Sequence, residues 1–347
     1  RMAEQGLYDD GKKGIRRLTI PEMRLKDQDI DGVCGEVLYG VLGASKRLDD
    51  PEATEEMLHI YNDWLADFCN YDPKRFAGIA CLPNHNMEAA VKELQVVAKR
   101  GVARGVEIAL TTEMRPLFDP YWRPLWAALN EARLPVHLHT IGLEMPDWSH
   151  LPAINQRQGF AAHLTRFQIA MAKPLTEVIF GAVFEEFPDL TLVLGESGIG
   201  WIPYVLDRMD LEWEDQFKDI GLTMKPSEYW RRNCRATYQS DPVGIHCLHM
   251  LGEDNIMWGS DFPHPDGVWP DSQAFIEREL SGLTSEVQSK IVGFENWHLP
   301  DLGKGSSWGE IGLMLVGVVV IFVLEAFVRK PGSRKGISSE TADRRSG

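Results

Sequence analysis

Three apolar runs in this sequence end in a side chain that can bind a cation or carry a proton. In Leu134-Pro135-Val136-His137-Leu138-His139 the alternation of a strand puts His137 and His139 on one face. Leu190-Thr191-Leu192-Val193-Leu194-Gly195 leads into Glu196, followed by Ser197 and Gly198. Asn255-Ile256-Met257-Trp258-Gly259-Ser260 leads into Asp261, and Pro263 and Pro265 stop the run on either side of His264. An imidazole and two carboxylates at strand ends are the groups of a divalent-metal site and of proton transfer. Parallel α/β enzymes keep such groups at the C-terminal ends of their strands, so the three runs are expected to share one mouth.

Each group also has a plainer reading. A lone strand histidine is more often packed in a core than bound to a metal. In a barrel, however, His137 and His139 fall in adjacent interior layers with His139 nearer the mouth, which makes His139 the ligand candidate and His137 a deeper pocket or supporting residue. Glu196 either complements the N-terminus of the helix that opens near Trp201, or acts as general base or additional ligand; Gly195, Gly198 and Gly200 let a substrate approach the backbone there. Asp261 either forms a turn or faces a cation, since a carboxylate after an apolar strand is costly to bury alone. His264 either caps its loop or works at the rim. Trp201, with Trp230, Trp258 and Trp269, is expected in the core and the pocket wall. Glu36 and Glu107, inside strands, are weaker candidates that fit outward or interstrand ion pairs, and His163 sits on a helical stretch.

Positioning these groups requires regular alternation of elements, and the sequence supplies it. Strands are expected over 32–39, 76–82, 105–110, 134–140, 190–196, 234–239 and 255–259. Helices are expected over 20–30, 51–69, 87–100, 121–132, 156–187, 201–213, 243–251, 272–280 and 285–292. Repeated βα units without an early glycine-rich phosphate loop point to a (β/α)8 TIM barrel over a doubly wound sheet. No eighth strand follows Val292, so the barrel, residues 1–300, is expected to lack its first strand, which would lie upstream of Arg1.

The chain has 347 residues and a formal charge of −15, with no basic stripe in its body, which excludes a nucleic-acid groove and favours a small-molecule substrate. Its five cysteines, Cys34, Cys69, Cys81, Cys234 and Cys247, form no CxxC pair and read as reduced thiols, and residues 1–13 lack the apolar stretch of a signal peptide. A cytoplasmic barrel is the expectation. Past residue 300 the character changes to a tail, 301–347, in which an apolar run over 311–328 is broken only by Glu325 and is followed by Arg329, Lys330, Arg334 and Lys335. That run is about the minimum for a bilayer span and is read as a candidate transmembrane helix giving membrane association, with a buried core helix as the alternative. A homodimer is compatible with the sequence.

Several separated segments resemble, in order, the motifs of the amidohydrolase-related family. They are Phe187-Pro188-Asp189-Leu190, the run from Glu196-Ser197-Gly198 through Trp201-Ile202-Pro203-Tyr204, Pro226-Ser227-Glu228-Tyr229, and Gly259-Ser260-Asp261-Phe262-Pro263-His264-Pro265. This is the branch of the amidohydrolase superfamily that contains aminocarboxymuconate-semialdehyde decarboxylase and related aromatic-acid decarboxylases. The resemblance runs from about residue 30 to residue 292. It implies a metal-dependent barrel in which His139 and Asp261 bind a divalent cation, zinc in the first instance with manganese as the alternative. It further implies that Asp261 and Glu196 handle protons and His264 meets the substrate at the rim. Two departures stand out. No HxH or ExH ligand pair of the kind the family carries on its first strand precedes Ile30, and Glu196 stands where the family often has a histidine. The implied reaction is non-oxidative decarboxylation of a small aromatic or unsaturated carboxylate. Hydrolysis of an amide, ester or lactone is the alternative, and a catalytically incomplete, membrane-attached barrel is a third reading.

Overall fold

The structure, a computed structural model, describes residues 2, 4, 6–40, 42, 48–111, 114–139 and 146–293. Seven strands form one sheet: β1 (Glu36–Leu38), β2 (Phe76–Leu82), β3 (Ala103–Ile108), β4 (Val136–His139), β5 (Leu192–Gly195), β6 (Cys234–Tyr238) and β7 (Ile256–Trp258). All are parallel and hydrogen-bonded in sequence order, the topology of successive βα units. Every strand named from the sequence is present, because each is an apolar run bounded by turn residues.

The sheet curls. Val37 and Tyr39 from the β1 end, Ala77 and Ile79 of β2, Val193 of β5 and Met257 of β7 pack in one interior cluster, which a flat sheet would not allow. A methyl group at Gly195 would lie 3.0 Å from the Tyr39 ring, so β1 and β5 face each other across the interior and only glycine leaves room for that ring. The outer faces of the strands pack against the helices in a second, larger core that includes Trp122, Trp126, Trp230 and Trp258. Full burial of a large apolar side chain is worth about 1.5–3 kcal/mol, so this layer dominates the stability of the fold.

The helices start and stop where local chemistry directs. Asp50 accepts from the backbone N–H groups of Glu52 and Ala53 at the head of Pro51–Asn70, and Asn86 accepts from Ala89 at the head of Met87–Arg100, which closes on Gly101 at φ 68°. The single helix expected over 156–187 is instead four pieces: Ala153–Arg166, a 3-10 turn Gln168–Met171, Ala172–Phe180 and Val183–Glu186. The last break falls at Ala182, held at φ 54°. The stretch 243–251 likewise divides into Pro242–His246 and Leu248–Leu251. Among the described residues, the α-helices Leu7–Lys12 and Pro226–Asn233 and the 3-10 turn Arg17–Thr19 were not foreseen.

No hydrogen bonds join β7 to β1 among the described residues, and the helix Pro21–Asp31 bridges that seam. Its Arg24 donates to Glu36 of β1 through Nε at 2.7 Å, while the same guanidinium lies 4.3 Å from the Phe262 ring beyond β7. Trp269 Nε1 donates to the Asp27 carbonyl at 3.0 Å, and the Ser272 N–H donates to Asp31 Oδ1 at 2.9 Å. The apolar run 311–328 and the boundary at residue 300 lie outside the described residues. Among the described residues no helix is long and apolar enough to cross a membrane.

Candidate active site

The interior face of the curled sheet carries a group of polar side chains towards the C-terminal ends of its strands. His139 is fully buried at the end of β4. Its Nδ1 lies 3.3 Å from Glu107 Oε1 and its Nε2 lies 2.8 Å from Glu196 Oε2. Neither contact has the alignment of a hydrogen bond, and Glu107 Oε1 also lacks an aligned donor. Burial pulls the His139 imidazole down, but the flanking Glu107 and Glu196 together outweigh it and raise its pKa to about 10.

His137 sits one layer deeper on the same face. The Tyr39 hydroxyl lies 2.8 Å from its Nδ1, and the Tyr39 ring lies 5.3 Å from the His137 ring and 5.2 Å from that of His139. Burial, helped by His139, lowers the His137 pKa to about 3, and burial raises that of Tyr39 well above its usual value. At neutral pH His137 is therefore uncharged and the Tyr39 hydroxyl beside it keeps its proton.

Glu196 and Asp261 share an unusual backbone. Both follow a strand and both adopt left-handed angles, φ 52° and 57°, which a non-glycine residue avoids. The turn at Glu196 is held by the Thr237 hydroxyl, which accepts the Glu196 N–H at 2.7 Å, and by Asp241, whose Oδ2 accepts from Ile199 and Gly200 at 2.7 and 2.6 Å. Trp201, half-buried against the core, donates Nε1–H to the Ser197 carbonyl at 2.8 Å and braces the same turn. The Glu196 side chain keeps 19% of its surface exposed, so it reaches from His139 towards solvent.

Asp261 is buried, its Oδ2 lies 3.3 Å from His264 Nδ1, and its Oδ1 has no hydrogen-bond donor among the described residues. Burial and then the Glu196 carboxylate push its pKa well above the usual carboxyl value. His264 also pairs with Asp266, and although burial opposes it, Asp266 and Asp261 raise its pKa to about 9. His139, Glu196, Asp261 and His264 thus interact electrostatically as one group. Glu36 belongs instead to the Arg24 pair, and His163 packs between the rings of Trp148 and Phe167.

A profile of the amidohydrolase family matches residues 19–293. The chain belongs to the amidohydrolase family. Among relatives of this amidohydrolase, the gamma-resorcylate decarboxylase of Rhodococcus jostii is 27% identical over 270 residues, covering 72% of this chain and 78% of the relative. The 2-amino-3-carboxymuconate-6-semialdehyde decarboxylase of Dictyostelium discoideum is 22% identical over 270 residues, covering 77% and 73%. The crystal structure of 5-carboxyvanillate decarboxylase from Sphingomonas paucimobilis superposes with a TM-score of 0.67 at 26% identity, over 81% of this chain and 83% of that one. A dihydroxybenzoic acid decarboxylase from a Polaromonas species, solved with bound manganese and 2-nitroresorcinol, has a TM-score of 0.68 at 20% identity over 86% and 92%, and so speaks for the shared fold. These four relatives of this amidohydrolase are decarboxylases.

One residue of the group, Tyr39, escaped the sequence reading; it spans the interior to His137. Glu107, a weaker candidate for an outward or interstrand ion pair, is fully buried and pairs across the strands with His139. A signal for Glu107 existed: it is the one charge in the apolar run Val106-Glu107-Ile108-Ala109-Leu110, where a carboxylate without a partner would be expensive.

The donor set suits a divalent cation. Buried oxygens of Glu107 and Asp261 and the ring nitrogens of His139 lack aligned hydrogen bonds, and the acidic side chains of Glu107, Glu196, Asp261 and Asp266 crowd His139 and His264. Imidazole with carboxylate oxygen is a ligand chemistry that zinc and manganese both accept.

Proposed function

We propose that this amidohydrolase is a metal-dependent, non-oxidative decarboxylase of a small aromatic or unsaturated carboxylate. The observation that carries the reading is Asp261: a buried carboxyl at a strand end, in strained backbone, with one oxygen lacking a donor and its acidity suppressed by burial and by Glu196. His139 through Nε2 and Asp261 through Oδ1 would hold the cation, manganese or zinc. A bound divalent metal would supply positive charge against the anionic substrate. Glu196, the partly exposed member of the group, reaches from His139 towards solvent and would shuttle a proton. The proton is then available to the ring carbon as its bond to the carboxyl carbon breaks and carbon dioxide leaves. His264, kept cationic up to about pH 9, stands beside Asp261 to attract and orient the substrate carboxylate.

The buried thiols of Cys69, Cys81 and Cys234 support a reducing, cytoplasmic setting. Residues 301–347 are read as a separable tail; deleting 303–347 should leave the cooperative melt of the remainder unchanged, and aggregation of that truncation would place the apolar run in the core.

The test is release of carbon dioxide from 2,6-dihydroxybenzoate, 5-carboxyvanillate and aminocarboxymuconate semialdehyde by chain loaded separately with manganese and with zinc. Turnover abolished by a chelator and restored by one metal supports the reading and names the metal. Water incorporation into lactones without release of carbon dioxide moves the chain to the hydrolases, and activity on neither class removes both.

A further inference from the structure

Glu107 belongs to the buried group but takes no part in the proposed reaction. It lies in β3 between Cys81 of β2 and His137 of β4, with no exposed surface. Such a position normally carries an apolar residue, since a carboxylate buried without partners is strongly disfavoured. Its two oxygens face two nitrogens. Oε2 accepts the Gly40 N–H at 3.1 Å, and Oε1 lies 3.3 Å from His139 Nδ1.

The neighbours leave Glu107 little choice of partner. His137, beside it in register, is occupied at Nδ1 by the Tyr39 hydroxyl, and its Nε2 fills the space over Gly105, where a methyl group would lie 2.7 Å away. The carboxylate therefore reaches one layer up, to His139. At Gly40 a methyl group would lie 1.9 Å from Cys81 Sγ, so the backbone that anchors Oε2 comes this close only because the residue is glycine.

We propose that Glu107 is a positioning residue that holds the His139 proton on Nδ1 when a cation is bound, which leaves Nε2, the nitrogen facing Glu196 and the mouth, to the metal. A histidine ligand generally hands its second ring nitrogen to a carboxylate or carbonyl in this way, and losing that partner costs about 10–100-fold in metal affinity. The inference rests on His139 being a ligand, as proposed above, but not on the identity of the reaction. The Gly40 N–H makes the assignment sharper: Glu107 accepts that N–H on one side and faces His139 Nδ1 on the other, so the amide of a glutamine must turn its own donor towards one of them.

The experiment measures divalent manganese and zinc affinity by chelator competition for the intact chain and for Glu107→Gln and Glu107→Asp, with melting curves to confirm folding. Histidine 15N spectra of the metal-loaded wild type, with His139 assigned through His139→Gln, report which nitrogen carries the proton. The expected results are Nδ1–H in the wild type, a loss of at least about tenfold in affinity for Glu107→Gln, and partial recovery in Glu107→Asp, which keeps two acceptors. Wild-type affinity in Glu107→Gln, or a proton on Nε2 of His139 in the wild type, overturns the proposal; the second result decides even if both variants fail to fold. Lack of carbon dioxide release with these outcomes intact would remove the decarboxylase reading and leave Glu107 in its role. A wild-type chain that binds neither metal removes both.

Discussion

Glu196 occupies a backbone conformation that costs a residue with a side chain roughly 1–2 kcal/mol. The comparison that isolates this cost is between two inactive variants. Glu196→Gly should be more stable than Glu196→Ala by about 1 kcal/mol, read from denaturant midpoints, because only glycine takes φ near 52° without strain. Equal stability would mean the turn relaxes in the absence of the carboxylate. His139 sets a pH dependence. Its folded pKa of about 10 lies above the value of 6.5 for an unperturbed histidine, so the folded state binds the extra proton. The stabilisation is complete below pH 6.5 and is lost as pH rises towards 10, and His264 acts in the same direction through about pH 9. The melting temperature of metal-free chain should therefore fall across that window, with a shallower fall in His139→Gln, and manganese binding at pH 7 should release at least one proton, measured by calorimetry in two buffers. The candidate ligands were legible in the sequence because polar groups closing apolar strands are expensive without a purpose. Tyr39 was not, and neither was the partner of Glu107, because both contacts are set by strand register and the curl of the sheet and not by local spacing.

At the scale of elements, period-two and period-3.6 patterning located the strands and most helices, since burial of one face is what both periods record. It failed over 156–187, where the helical pattern continues through breaks made by backbone angles at single residues such as Ala182. The register of β3 against β4 carries its own prediction. Gly105→Ala places a methyl group 2.7 Å from His137 Nε2 and must displace that ring or bend the strand. It should cost about 1–3 kcal/mol by overpacking and disturb the Tyr39 hydroxyl contact, visible as a changed tyrosine absorption band. An unchanged stability would show that His137 can move freely within the interior.

For the molecule as a whole, Arg24 is the link that matters most at the seam between β7 and β1. Arg24→Met leaves the Glu36 carboxylate buried without its cation, and the loss of one member of a buried pair costs about 3–5 kcal/mol. Denaturant unfolding monitored by tryptophan fluorescence reads this directly, and a cost under about 1 kcal/mol would mean that the seam is dispensable. The seam also differs from the rest of the sheet in how far apart along the chain its partners lie. Strands pair with their sequence neighbours, whereas Arg24 meets Phe262, Asp31 meets Ser272 and Asp27 meets Trp269 at separations of 238, 241 and 242 residues. Contacts of such long loops form late, after the strands have been laid down one beside the next. The seam is then the last part to close during folding and the first to open, so Arg24→Met should speed unfolding while leaving the refolding rate nearly unchanged, and backbone amides of residues 21–31 should exchange with solvent deuterium before those of β3 and β4.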